Sequence, residues 1–313
     1  MSEINVAIII VNWNGYQDTI ECCKSLEKIN YKSFKVFIVD NGSTNESCKI
    51  LRNFIDTETN IDIELLCSHV NAGFAAGNNI AIKRVLDENF KYIWLLNNDT
   101  VTDISSLTEM VNVIDQDHSI GIAGSKIYYY QSNKLWFAGG LVNTWTGNTK
   151  HIGWQQEDNG RYSHTKEVDY ITGCSMIISR EVIEQVGLLP EYYFLYFEET
   201  EYNLQVKKAG WRIVYVPKSK IYHKVSRSSG AGRHLNPRVN YYMIRNQYWM
   251  IALTQPKIKK IICFASIVAK ACKSILKIFV KNENNKKERM KYIFKALKDC
   301  NLYKKIVHKG QLS

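Results

Sequence analysis

Two short clusters, about a hundred residues apart, hold the residue types that chemistry needs: Asn97-Asn98-Asp99 and Glu198-Glu199-Thr200-Glu201. Each follows a hydrophobic run, Tyr92 to Leu96 in one case and Phe194 to Phe197 in the other. A buried strand that ends in an amide and a carboxylate presents hard oxygen ligands to Mg2+ or Mn2+, and such an ion in turn binds phosphate. A second carboxylate facing it can take the proton of an incoming hydroxyl. The pair implies group transfer from a phosphate-activated donor.

The elements that must position these clusters are legible in the first hundred residues. Strand-like runs at Ile4 to Val11, Lys35 to Asp40, Ile63 to Cys67 and Tyr92 to Asn97 alternate with helical periodicity at Asp18 to Ile29, Asn45 to Phe54 and Ala75 to Asn89. Such alternation predicts an α/β fold with a parallel, Rossmann-like sheet covered by helices, whose ligands gather at the carboxyl ends of the strands. Those ends read Asn12-Trp13-Asn14-Gly15, Asp40-Asn41-Gly42-Ser43, Asn71-Ala72-Gly73 and Asn97-Asn98-Asp99. From about residue 121 to 190 the pattern changes to short β-like pieces rich in Tyr, Trp and Gly, a mixed region that reads as an acceptor-side sugar wall or as ordinary aromatic packing.

The net charge of +11 is unevenly spread. Residues 251–313 hold 16 Lys/Arg against Glu283, Glu288 and Asp299, a net of +13, which leaves −2 for residues 1–250. A catalytic body over 1–250 and a basic helical tail over 251–313 follow. In the tail Ile258, Ile261, Ile262, Ala265, Val268, Ala269, Cys272, Ile275, Leu276 and Phe279 recur at helical spacing, with Lys259, Lys270, Lys273, Lys277 and Lys281 on the other side. Three readings stay open: a helix lying on an anionic membrane surface, a helix packed on the catalytic body, or a homodimer interface. Nucleic acid is not expected, since no binding motif accompanies the charge. The eight cysteines form no C-x-x-C pair, so neither zinc nor a disulfide framework is expected, and reduced thiols in the cytoplasm are the default. The apolar run near the N-terminus is too short for a signal peptide and reads as a strand. The expected place is therefore cytoplasmic, or peripheral on the inner face of the cell membrane.

Seven segments in order carry a resemblance: Val11-Asn12-Trp13-Asn14-Gly15, Val39 to Ser43, Asn71 to Asn79, Leu95 to Asp99, Thr172-Gly173-Cys174, Tyr196-Phe197-Glu198-Glu199 and Ala209-Gly210-Trp211-Arg212. Together they resemble family 2 of the inverting glycosyltransferases with the GT-A fold, in particular its rhamnosyltransferase-like bacterial members. The resemblance implies a nucleoside diphosphate sugar donor, dTDP- or UDP-linked, and a saccharide or lipid-linked saccharide acceptor in surface polysaccharide synthesis. It implies that Asp40 meets the base or ribose, with Asn12, Asn14 and Asn41 lining that pocket, and that Gly73 and Asn78 open a helix toward the ribose or diphosphate. Asn97 and Asn98 would contact the donor, Asp99 and His223 would hold Mg2+ or Mn2+, and Glu199 would be the catalytic base beside Glu198. The chain departs from the family pattern in having Asn97 where Asp stands in the metal motif, and Glu at 199 and 201 where Asp is usual. Arg227 to Arg245, with Gly230, Gly232, Arg233, His234 and Arg238, has the composition of a lid over the diphosphate, and Arg245 also fits the family's pattern.

Two rival functions bear on the same residues. A sugar nucleotidyltransferase would carry a Gly-rich phosphate loop after the first strand, where Asn12-Trp13-Asn14-Gly15 stands instead. A non-catalytic carbohydrate-binding protein of the same fold would release no nucleotide.

Overall fold

The structure, a computed structural model, describes residues 5–225, 237–280 and 285–310. By contacts the chain divides into two compact units, the first made of residues 1–141, 151–194 and 198–225, the second of 142–150, 195–197 and 226–313.

The first unit opens with the expected alternation: β1 (Val6–Asn12), α1 (Tyr16–Leu26), β2 (Phe34–Asn41), α2 (Ser47–Thr57), β3 (Ile63–Ser68), α3 (Phe74–Leu86) and β4 (Tyr92–Leu96). Next come β5 (Thr100–Thr102), α4 (Ser106–Gln116), β6 (Ile120–Tyr129), β7 (Leu135–Phe137), β8 (Gly140–Asn143), β9 (Asn148–His151), β10 (Lys166–Glu167) and β11 (Ser175–Ser179), of which residues 142–143 of β8 and 148–150 of β9 belong to the second unit. The unit closes with α5 (Arg180–Val186), α6 (Glu198–Lys208) and β12 (Arg212–His223).

The main sheet has the order β10-β12-β6-β11-β4-β1-β2-β3, with β5 added on β12 and β7 on β6. β4, β1, β2 and β3 run parallel. Val6 to Ile10 and Val36 to Val39 are fully buried, as parallel strands covered on both faces must be. Beyond β4 the sheet is mixed, because β11 is antiparallel to both β4 and β6. A line of buried hydroxyls crosses this half: Trp94 Nε1 donates to Ser175 Oγ (3.0 Å), and Ser125 Oγ lies 2.7 Å from the hydroxyls of both Ser175 and Ser219. A one-residue slip of any of these strands would leave the hydroxyls unpaired in the core, so they pin the register.

Expectation and structure part at the cysteines. Cys48 of α2 and Cys67 of β3 are joined in a disulfide, so the reading of all thiols as reduced is corrected. The sequence holds no sign of this pairing, because it arises from α2 packing on β3 with Cα atoms 6.6 Å apart. Of the six free cysteines, Cys272 is exposed and the other five are buried.

The second unit contains α7 (Pro237–Thr254), α8 (Lys257–Val280), α9 (Lys286–Asp299) and α10 (Tyr303–Gly310). By contacts α7 therefore goes with the tail that charge sets apart at residue 251. Arg245 of α7 is buried in an aromatic cage, 4.1 Å from the ring centre of Trp249 and 5.1 Å from that of Tyr241. Its Nε donates to Asn246 Oδ1 (2.8 Å), and Asn246 Nδ2 donates to the carbonyls of Leu195 (2.8 Å) and Tyr196 (2.9 Å). Arg238 Nε donates to Tyr292 Oη of α9. The remaining residues named for a lid, Arg227, Gly230, Gly232, Arg233 and His234, lie outside the described residues.

Gly73 shows how tightly the start of α3 is drawn in. Its φ is +95°, and a Cβ there would lie 2.2 Å from the carbonyl oxygen of Phe194, which already accepts the N–H of Phe74. Gly160 has a similar φ of +86° with nothing within 4 Å of a Cβ. Gly160→Ala should therefore cost only the conformational penalty, about 1–2 kcal/mol. Gly73→Ala adds a backbone collision and should exceed about 3 kcal/mol. Urea unfolding of both variants checks this, and equal losses would show that the close approach at Gly73 is not maintained in solution.

Candidate active site

The parallel register brings three polar strand ends together. Asn12 lies beside Asp40 at the ends of β1 and β2. Asn12 Nδ2 donates to Asp40 Oδ1 (2.6 Å), Ser43 Oγ donates to the same oxygen (2.6 Å), and Ser43 N donates to Asp40 Oδ2 (3.2 Å). Asn14, at φ 56°, donates its N–H to Ser43 Oγ (2.8 Å) and accepts from Thr44 N (2.8 Å). Asp40 and Asn12 are almost wholly buried. They form a preformed, hydrogen-bonded floor in which carboxylate and amide are already oriented.

Asn41, the neighbour of Asp40, donates to Asn71 Oδ1 (3.2 Å) and to the carbonyl of Gly73 (3.0 Å), which ties β2 to the turn entering α3. Asn78 turns back along α3, donating to the carbonyl of Phe74 (2.9 Å). Asn98 faces α1, donating to Thr19 Oγ1 (3.1 Å), which itself donates to Asn12 Oδ1 (2.9 Å). Thr19 and Ser43 thus join the ends of β1, β2 and β4, and neither is among the site residues expected from the sequence. Ser43 stood within a quoted motif, whereas Thr19 gave no signal beyond its place in the first turn of a helix.

Asp99 and His223 meet directly. His223 Nε2 lies 3.0 Å from Asp99 Oδ1, with both side chains 8% exposed. Burial alone would raise the Asp99 carboxyl, but the hydrogen bond and charge of His223, the backbone amide and Lys224 outweigh it and hold the group below the ordinary value. The contact follows from β5, which pairs antiparallel with β12 and sets His223 opposite Thr100, the residue after Asp99. Trp136 packs edge-on against His223 with ring centres 4.7 Å apart, and against His151 at the same separation. Burial pushes His151 down to about 4, so it is neutral near pH 7. Lys224 reaches Asp18 Oδ1 (2.6 Å) and Glu21 Oε2 (2.7 Å), binding the end of β12 to α1. Sequence reasoning missed Trp136 in this role, because a single Trp in a β-like piece reads equally as core. The side chain of Asn97 takes no hydrogen-bond partner among the described residues, while its N–H donates to the carbonyl of Cys174 (3.0 Å).

The acidic cluster begins α6, after a turn in which Phe194, Tyr196 and Phe197 all have positive φ (69°, 68° and 74°). Aromatic residues rarely adopt that region, and such strain concentrates where a fold must aim its side chains. The three glutamates have different fates. Glu198 is buried. Glu201 is buried and taken up by neighbours, accepting from Tyr192 Oη (2.5 Å), Tyr193 Oη and Gln205 Nε2 (2.6 Å). Glu199 keeps part of its surface open, yet burial of its carboxyl pushes it up to about 7, against the amides at the start of α6 and the Thr200 hydroxyl, which pull it down. Burial also pushes Glu201 up to about 7, despite its three donors. The turn at Thr172 to Cys174 touches both clusters: the Cys174 carbonyl holds Asn97, and a Cβ on Gly173 would lie 3.7 Å from Glu199 Cβ.

Among the described residues no three or more His, Cys, Asp or Glu side chains gather in a metal-binding group. The donor set at Asp99 and His223 is a carboxylate with an imidazole. It suits a divalent cation that takes its remaining ligands from a phosphate group and water.

The low-salt glycan biosynthesis hexosyltransferase Agl10 of Haloferax volcanii is 28% identical over 206 residues, 65% of this chain and 62% of that protein. The dTDP-rhamnosyl transferase RfbF of Shigella flexneri is 22% identical over 261 residues, 79% of this chain and 80% of that protein. This chain thus spans a little under two thirds of the first of these relatives, and 23% and 17% of two other curated relatives. Among solved structures, the mannosyltransferase PcManGT of Pyrobaculum calidifontis, in complex with GDP-Man and Mn2+, superimposes with a TM-score of 0.60 at 12% identity over 96% of this chain and 88% of that one. The sheet of the first unit is that of the GT-A fold. The family model described as "Glycosyl transferase family 2" matches residues 7–187, more than half of the chain, and the protein belongs to that glycosyltransferase family.

Proposed function

We propose that the protein transfers a sugar, rhamnose-like or a hexose, from a nucleoside diphosphate donor to a saccharide hydroxyl with inversion at the anomeric carbon. The observation that carries the reading is the Thr172 to Cys174 turn, which lies against both the Asn97 backbone and Glu199. It leaves a carboxylate poised near neutral pH on one side and the Asp99 and His223 pair on the other. Asp40, Asn12 and Asn14 receive the nucleoside. Asp99 and His223 would hold Mn2+ or Mg2+, and such a cation would supply charge neutralisation to the leaving diphosphate. Glu199 accepts the proton of the acceptor hydroxyl as its oxygen attacks from the face opposite the diphosphate. Glu201 is the less suitable base, since its oxygens are occupied by two tyrosines and Gln205.

We take the donor to be dTDP- or UDP-linked, and the named activity of the Shigella relative supports the dTDP form. The names of relatives in glycan and O-antigen biosynthesis support an acceptor in a growing surface polysaccharide, lipid-linked in some of them.

A carboxyl raised to about 7 is half protonated there, so the competent base form grows as pH rises. Release of nucleoside diphosphate at low donor concentration should climb about tenfold per pH unit below 7 and level off above it. Glu199→Gln should lower turnover by about a hundredfold or more, abolish that rise and leave donor binding intact. Glu201→Gln should instead lower stability and keep the pH profile. A profile that follows Glu201 would move the base there.

Asp99→Ala should weaken nucleoside diphosphate binding by about tenfold or more in the presence of Mn2+ and hardly at all in chelator. Isothermal calorimetry under both conditions reads this directly. Equal losses in the two would remove Asp99 from the metal site.

A further inference from the structure

The helix α8 is apolar on two opposite sides. Cys263, Ile267, Ala271 and Ile278 are buried, and Ala271 and Ile278 meet Ile293 of α9 in a small core. About half a turn round the helix, Ile258, Ile261, Leu276 and Phe279 are 57%, 58%, 65% and 57% exposed, and Val280 is 83% exposed. Exposed small residues, Ala265, Ala269 and Cys272, fill the interval. The outer stripe is therefore continuous along about 36 Å of helix. An unbroken apolar surface of this length is uncommon on a soluble monomer and marks something that covers it.

The charges beside the stripe say what that is. α8 contains six lysines and no acid. Three of the lysines are used within the unit: Lys259 donates to Thr144 Oγ1 (2.9 Å), Lys270 donates to Asn148 Oδ1, and Lys260 lies over the ring of Tyr303. Lys257, Lys273 and Lys277 are exposed and take no partner among the described residues. By helical spacing Lys257 borders the stripe on one side, and Lys273 and Lys277 border it on the other. A second copy of the chain, related by a two-fold axis, would bring the same cations against the same stripe and leave them unneutralised. No helix among the described residues is long and apolar enough to cross a bilayer.

We infer that the outer stripe of α8 seats on an anionic lipid surface, the helix lying in the plane of the interface with Ile258, Ile261, Leu276 and Phe279 among the acyl chains and Lys257, Lys273 and Lys277 at the headgroups. This geometry is that of an in-plane amphipathic helix. The inference does not depend on the transfer reaction, because no residue of the catalytic proposal lies on α8.

Co-sedimentation of the full chain with phosphatidylcholine vesicles, with and without phosphatidylglycerol, tests it. The chain should pellet with the anionic vesicles and be released by salt. Lys273→Gln with Lys277→Gln should weaken binding about fivefold per lysine. Ile261→Ser with Leu276→Ser should weaken it by about tenfold or more per residue. Both pairs of substitutions lie on the exposed face, so thermal unfolding and nucleoside diphosphate binding should stay as in the parent chain. A chain that remains in the supernatant at every lipid composition overturns the inference, as does equal binding to neutral vesicles. A dimer in sedimentation equilibrium that the serine pair dissolves, without any vesicle binding, would assign the stripe to a second copy of the chain.

Discussion

A buried pairing of Asp99 with His223 is the contact on which the site depends. Taking a carboxylate and an imidazole out of water costs more than their attraction returns unless further partners complete them, so such a pair is a poor device for stability. Among the described residues His223 Nδ1 is buried without a hydrogen-bond partner, which adds to that cost. The cost is intelligible where a cation and a phosphate complete the shell. The pair also joins the ends of two strands that are not neighbours in the sheet. Asp99 follows β4, His223 ends β12, and their meeting requires that the chain cross from one strand to the other within β5.

The floor beside this pair is built from ordinary strand physics. Parallel strands in register end level with one another, so Asn12 and Asp40 share hydrogen bonds without any special loop. Thr19 and Ser43 then donate to Asn12 and Asp40, and the floor is held by hydrogen bonds within the chain. Across the turn at Thr172 to Cys174 the energetic logic reverses. Glu199 gains only local amides and a hydroxyl, so burial dominates and the carboxyl is left basic, while its neighbour Glu201 has the same direction of shift with its oxygens engaged. Two acids of one helix turn are thus separated by partners rather than by position.

Much of this was legible in the residues. The alternating half of the sheet was, since β1 to β4 fall within a residue or two of the runs read from hydrophobic periodicity. The β5 pairing was not, because three residues carry no periodicity, and yet it is what brings His223 to Asp99. The Cys48 and Cys67 bond was not, since it depends on how α2 lies against β3. In the tail the recurrence of apolar residues is helical in the structure as its spacing implies. Only the packed structure reveals that a second set, Cys263, Ile267, Ala271 and Ile278, forms the buried side and leaves most of the first set outward. Asn98 Nδ2 donates to Thr19 of α1, 79 residues away, a contact that local spacing does not encode.

We propose a single displacement, in which Glu199 takes the acceptor proton on the face opposite a diphosphate bound near Asp99 and His223. Proton NMR of the newly formed glycosidic linkage, followed from a donor of known anomeric configuration in the presence of Mn2+, tests it most directly. A single displacement gives a first-formed product of the opposite anomeric configuration to the donor. A product that retains the donor's configuration would contradict it, since no one-step attack assisted by a base on the far face can yield retention.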